Sequence, residues 1–135
     1  MATAPSTFRL QRPRHLPTIL LVDDDTRVTA GLGRILRDYA VGLSSNDGRS
    51  AYENAILLRY LALIVLDVTM PNYDAVEFLQ DLSEAKVFTP IVIFSGWRRD
   101  VMTDVAKIAK VMGFPVLGIF EKPLEGRCLI KLLEK

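Results

Sequence analysis

The amino-acid sequence predicts an α/β domain with a five-stranded parallel sheet and helices on both faces. Two observations carry this expectation. Four short continuous apolar runs and one weaker run punctuate the chain, and the segments between them repeat apolar residues at helical spacing. Continuous apolar runs of this length suit strands buried on both faces, and strict strand–helix alternation calls for right-handed crossovers.

The first run is Thr18–Val22 (TILLV), followed by a helix with Val28, Leu32, Ile35, Leu36 and Tyr39 on one face. Ala40–Leu43 (AVGL) is the weaker second strand, and Gly48–Arg59 is the second and least regular helix. Leu63–Leu66 (LIVL) leads to a helix over Ala75–Ala85. Ile91–Phe94 (IVIF) leads to a helix that aligns Val101, Val105, Ile108 and Met112 and stops at Gly113 and Pro115. Val116–Ile119 (VLGI) and a helix over Leu124–Leu133 complete the pattern.

At 135 residues the chain has the size of one domain. Seventeen Lys and Arg against 16 Asp and Glu give a net charge of +1, which offers no reason to expect direct nucleic-acid or membrane binding. Cys128 is the only cysteine, so an internal disulfide and a cysteine-based zinc cluster are excluded; this fits a reducing cytoplasm. No apolar run is long enough to span a bilayer. Residues 1–16 read as a flexible, basic lead-in without the apolar centre of a secretory signal, and 17–135 as the domain.

In folds of this class chemistry gathers at the carboxyl ends of the strands. The first strand runs into Asp23, Asp24 and Asp25, the third into Asp67, the fourth into Ser95, and the fifth reaches Lys122 through Phe120 and Glu121. Carboxylates brought together from neighbouring strands repel unless a cation joins them, and hard oxygen donors suit Mg²⁺ or Mn²⁺. A Lys and a Ser hydroxyl beside them can receive phosphoryl oxygens, and a carboxylate can serve as the nucleophile that forms an aspartyl-phosphate. Phosphoryl transfer asks for little beyond positioning and charge neutralisation.

Four motifs in order, LLVDDD (Leu20–Asp25), LDVTMPNYD (Leu66–Asp74), IVIFSG (Ile91–Gly96) and EKP (Glu121–Pro123), resemble those of response-regulator receiver domains of bacterial two-component systems. The resemblance runs from about Pro17 to the C-terminus. It implies a flavodoxin-like sheet in the order 2-1-3-4-5. It also implies Asp67 as phosphoacceptor, Asp23 and Asp24 as the acidic pair with Asp24 bonding the metal directly, and the Thr69 backbone carbonyl as a further metal ligand. Ser95 matches the switch hydroxyl, and Lys122 the phosphate-binding lysine before a proline that is often cis. The implied partners are a sensor histidine kinase or phosphotransfer protein, and an output domain or second copy meeting the fourth helix, fifth strand and fifth helix.

Plainer roles stand beside these. Asp25 reads as the cap of the helix starting near Arg27 rather than as a metal ligand. Asp23 and Asp24 could be solvated loop acids, Ser95 a helix cap, and Lys122 a surface lysine fixed in a turn by Pro123. Trp97, Arg98 and Arg99 read as a charged, solvent-facing helix start; His15 and Cys128 read as bystanders.

The chain also departs from the receiver pattern. Ala75 replaces a common glycine, Ile119 occupies the usual aromatic switch position, and Phe120 should face the opposite side of the strand. Ser95 and Lys122 are 27 positions apart, more than in typical receivers, and the extra length falls in the fourth helix and its exit. The phrase MGFPVLGIFEKPL is similar to receivers attached to EAL-type cyclic-di-GMP phosphodiesterases. Gly96 should leave the site open to small donors or attacking water.

Two other functions compete. A haloacid-dehalogenase-type phosphatase shares the Asp, Ser, Lys and Mg²⁺ set, but it needs a second Asp two residues after the nucleophile, where this chain has Thr69. A pseudo-receiver used only for protein contacts would not need Asp23, Asp24, Asp67, Ser95 and Lys122 together.

Overall fold

The computed structural model describes residues 16–58, 60–69, 75–96 and 99–134. Strands β1 (Thr18–Val22), β2 (Val41–Ser45), β3 (Leu63–Asp67), β4 (Ile91–Ser95) and β5 (Val116–Glu121) alternate with helices α1 (Thr26–Leu36), α2 (Gly48–Leu57), α3 (Ala75–Glu84), α4 (Arg99–Met112) and α5 (Gly126–Leu133). The strands form one parallel sheet in the order β2-β1-β3-β4-β5, as the resemblance implied.

Every residue of β3 and β4 is buried, which explains their unbroken apolar sequence. One face of the sheet packs Leu20, Val22, Ile64 and Ile93 against Phe78 and Leu82 of α3 and Met102 of α4. The other packs Ile19, Leu21, Val65 and Phe94 against Leu32 and Leu36 of α1 and Leu129 of α5. Each such side chain contributes about 1.5–3 kcal/mol by leaving water. Together they hold the strand ends, and the polar residues on them, in fixed register.

Several expected boundaries and faces shift. β2 covers Val41–Ser45 rather than 40–43, because an edge strand tolerates polar residues where one side is solvated. α2 ends at Leu57, with the Leu58 N–H returning to the Asn54 carbonyl, and Arg59 lies outside the described residues. α3 ends one residue early, and α5 starts at Gly126 after the turn that contains Pro123. On α1, Leu32 and Leu36 are buried, whereas Ile35 is exposed, as is Tyr39, which lies beyond the end of the helix. On α4 the buried stripe is Met102, Val105, Ala106 and Ala109; the small alanines bring the helix close to the sheet and leave Ile108 on the flank.

Ile119 and Phe120 do face opposite sides, toward the α3–α4 and α1–α5 cores respectively. A register shift near Ile91 and Val92 bends β5, which no sequence pattern announced. Ala75 opens α3 without positive φ; among the described residues Lys86 (φ 63°) is the sole non-glycine there. The lead-in through His15, the motif residues 70–74, and Trp97 and Arg98 lie outside the described residues.

Candidate functional site

Parallel strands aim their carboxyl ends at one rim of the sheet, so Asp23, Asp67, Ser95 and Lys122 all stand there. Asp23, Asp67 and Ser95 are almost completely buried, while Asp24 is exposed at the mouth. Lys122 reaches over from the end of β5, with its Nζ 2.8 Å from Asp23 Oδ2 and 3.1 Å from Asp67 Oδ2. The Asp67 contact is a hydrogen bond; the Asp23 contact is close but off the hydrogen-bond line, so Oδ2 of Asp23 is paired ionically and has no directed donor among the described residues. The ammonium also lies 5.2 Å from the centroid of the Phe94 ring, which forms an apolar floor under it. The Lys122–Pro123 peptide is cis.

Backbone and side-chain donors fix the carboxylates. The Asp25 N–H donates to Asp23 Oδ1 at 2.9 Å. Asp67 Oδ1 accepts from both the N–H (3.0 Å) and the hydroxyl (2.8 Å) of Thr69. The Thr69 side chain is thus a site contact that the sequence reading overlooked; the short Asp-to-i+2 turn it forms is a recognisable local pattern. A second polar cluster also went unread: at the end of β2, the buried Ser45 hydroxyl accepts from Asn54 Nδ2 at 2.9 Å and from Ser50 at 3.3 Å.

Burial pushes the Asp23 carboxyl up to about 6, against the opposing pull of Lys122 and the Asp25 amide. Burial lowers the Lys122 ammonium, but Asp23 and the charge of Asp67 outweigh it and hold the group above its usual value. Lys122 therefore stays charged and neutralises much of the acid around it.

Asp25 performs the capping role expected of it. Its Oδ1 accepts from the Arg27 N–H at 2.9 Å, and the Arg27 guanidinium beside it holds its carboxyl below the usual range. Ser95 is no helix cap: α4 begins at Arg99, and the buried Ser95 hydroxyl has no hydrogen-bond partner among the described residues. Arg99 is exposed and lies 3.5 Å from Glu121, linking the start of α4 to the end of β5.

One oxygen each from Asp23, Asp24 and Asp67 lie within 4.8 Å of one another. Three hard oxygen donors at that spacing, with one carboxylate open to solvent, fit a small divalent cation that keeps several waters. Among the described residues no helix is long and apolar enough to cross a membrane.

The chain is a member of the response regulator receiver domain family, which it matches over residues 19–134. It is 27% identical over 116 residues to the transcriptional regulatory protein FixJ of Bradyrhizobium diazoefficiens, covering 86% of this chain and 54% of that protein. It is also 27% identical over 113 residues to the cell cycle response regulator CtrA of Brucella ovis, covering 83% and 46%. The chain thus spans about half the length of the curated relatives it matches. Among solved structures it resembles chemotaxis protein CheY4 of Vibrio cholerae (25% identity, TM-score 0.72, 89% of this chain and 98% of that one). A response regulator from Colwellia psychrerythraea is similar to the same degree (26%, TM-score 0.71, 89% and 95%).

Proposed function

We propose that Asp67 is the phosphoacceptor of this receiver, taking its phosphoryl group from a histidine kinase or phosphotransfer protein. The observation that carries the reading is the buried Ser95 hydroxyl, without a hydrogen-bond partner among the described residues, on the strand beside the one that Asp67 ends. A buried hydroxyl in that state costs stability, and a phosphoryl oxygen at the rim would satisfy it.

In the proposed transfer an Asp67 oxygen attacks phosphorus, the bond from phosphorus to the donor imidazole nitrogen breaks, and the imidazole departs with that electron pair. Lys122 offers a fixed positive charge to the incoming phosphoryl oxygens, and Ser95 offers a hydroxyl donor. Thr69 holds the Asp67 carboxylate in a defined rotamer through its two hydrogen bonds. Asp23, Asp24, Asp67 and the Thr69 carbonyl would hold Mg²⁺ or Mn²⁺. The cation would supply charge neutralisation between the carboxylates and the phosphoryl group.

Phosphorylation then shifts a two-state population, with Ser95 drawn toward the phosphoryl group and the α4–β5–α5 face repacked. An output domain or a second copy would read that face, in a cytoplasmic setting. The similarity of MGFPVLGIFEKPL to EAL-attached receivers supports a cyclic-di-GMP phosphodiesterase as one such output. Self-phosphorylation and autodephosphorylation are the only reactions in this reading.

Intact mass after incubation with Mg²⁺ and phosphoramidate tests it. One added phosphoryl on the parent and none on Asp67→Asn is the expected result. No adduct on the parent with several donors would return the domain to a contact-only role, and steady release of phosphate from unrelated esters would favour the phosphatase.

A further inference from the structure

Strand alternation divides the carboxyl rim into two sides. Asp67 shares the parity of Leu63 and Val65, and Asp23 that of Ile19 and Leu21, so both acids lie on the side covered by α1 and α5. Phe94 and Phe120 pack on the same side, and Lys122 follows Phe120 by two residues. Asp67, Phe94 and Phe120 are direct register partners on β3, β4 and β5. The Lys122 side chain therefore crosses β4 to reach Asp67, and the residue it passes over is Phe94.

Phe94 is 1% exposed, and the ammonium stands over its ring face, 5.2 Å from the centroid. A buried ring attracts a cation more strongly than an exposed one, because less water competes for the charge. Phe120 leaves that place free. Its ring folds back over Gly118, where a Cβ would stand 2.6 Å from Phe120 Cε2. Packing against α1 and α5 asks only for apolar volume at position 94. The ring adds an attraction that a leucine there would lack.

Asp23 and Asp67 hold the same ammonium at 2.8 and 3.1 Å. Under the phosphoacceptor reading, on which this inference rests, both acids are also cation ligands, and a bound divalent cation weakens their hold on Lys122. A benzene ring is no ligand for a hard cation, so its attraction survives. We propose that Phe94 is a positioning residue for phosphoryl transfer, whose ring face keeps the Lys122 ammonium over the rim once the acids are engaged. Lys122 then stays where the phosphoryl oxygens arrive.

The test replaces Phe94 with mono-, di- and trifluorinated phenylalanine, which keep the packing shape of the ring while withdrawing negative charge from its face. In protein carrying ¹³C-labelled lysine, the ε-methylene signal of Lys122, assigned by its loss in Lys122→Gln, reports the ring current. With excess Mg²⁺ and no phosphoryl donor, this signal should lie upfield in the parent and return stepwise toward its ordinary position as fluorines are added. Phosphorylation by phosphoramidate, followed by intact mass, should slow in step, about fivefold or more for the trifluorinated ring. Phe94→Leu should slow it at least as much. A Lys122 signal that is not upfield in the parent, or that is equal across the series, overturns the proposal. Phosphorylation rates that stay flat while the signal moves overturn it too. A parent that takes no phosphoryl group while its Lys122 signal still follows fluorination overturns the phosphoacceptor reading, and with it the part in transfer, while the hold of the ring on the ammonium stands.

Discussion

The Lys122 ammonium stands 2.8 Å from the buried Oδ2 of Asp23, although β3 and β4 lie between their strands in the sheet. A side chain from β5 thus neutralises an acid at the end of β1, and the same nitrogen reaches Asp67 at the end of β3. Yet it does not offset the full cost of burying Asp23, whose carboxyl is still pushed up to about 6.

Asp23→Asn should therefore stabilise the metal-free protein at pH 7.5, by roughly 2–3 kcal/mol for a shift of about two pKa units. Above about pH 6 both the folded and the unfolded chain hold Asp23 ionised, and the folded chain bears the whole penalty. As pH falls from about 6 toward the ordinary 3.8, the folded carboxyl takes its proton first and the penalty fades. The gap between variant and parent in chelator-treated thermal melts should be largest near neutrality and close below pH 5. A variant that melts below the parent at pH 7.5 would show that the ion pair with Lys122 outweighs burial.

The three consecutive acids after β1 should separate by titration calorimetry with Mg²⁺. Asp24 is the exposed member of the acidic triplet, whereas Asp25 is committed to capping α1 and to Arg27. Asp24→Asn should weaken Mg²⁺ binding about tenfold or more, the loss of one charged ligand interaction worth about 1.4 kcal/mol or above. Asp25→Asn should leave the affinity within about twofold, because an Asn cap satisfies the same amide. Equal losses in both variants would contradict this division of labour.

Ser95→Ala deletes a buried hydroxyl that has no partner among the described residues. Unpartnered buried hydroxyls cost about 1–3 kcal/mol, so the variant should melt at or above the parent temperature. It should still accept a phosphoryl group from phosphoramidate. What it should lose is the phosphorylation-dependent change in amide shifts of α4 and β5, since the hydroxyl would no longer be drawn to the phosphoryl group. An unchanged response would remove Ser95 from the switch.

Much of this was legible in the sequence because the strands that carry the site are buried on both faces. Ile64–Leu66 and Ile91–Phe94 could hardly be anything but central strands, and the polar residue after each marks the rim. The edges were less legible. In β2 Ser44 and Ser45 replace apolar residues, and the bend in β5 depends on pairing geometry rather than composition. On α1 and α4 the apolar spacing announced helices but chose the wrong flank for Ile35 and Ile108. Close approach through Gly126 beside Ile35, and through the alanines of α4, decided which residues met the sheet. Within the site, residue identity pointed to Asp23, Asp67 and Lys122, whereas the double hydrogen bond of Thr69 to Asp67 belongs to a local Asp-to-i+2 turn that was overlooked.

Gly96 bears on how long a phosphoryl group would last. Among the described residues, a Cβ placed on it would meet nothing nearer than Lys122 Cδ at 3.9 Å, ordinary contact distance. It directly follows Ser95 at the rim, where attacking water and small donors would enter. Gly96→Thr should narrow that entrance without disturbing the fold, because its Cβ would stand at ordinary contact distance from Lys122 Cδ. Phosphorylation by phosphoramidate and loss of the phosphoryl group should both slow, by roughly threefold to tenfold for a barrier increase of about 0.7–1.4 kcal/mol. Both rates can be followed by intact mass under excess Mg²⁺, with Gly96→Ala giving an intermediate value. If the Thr variant loses phosphate as fast as the parent, water does not enter past residue 96, and the lifetime is set by other groups around Asp67.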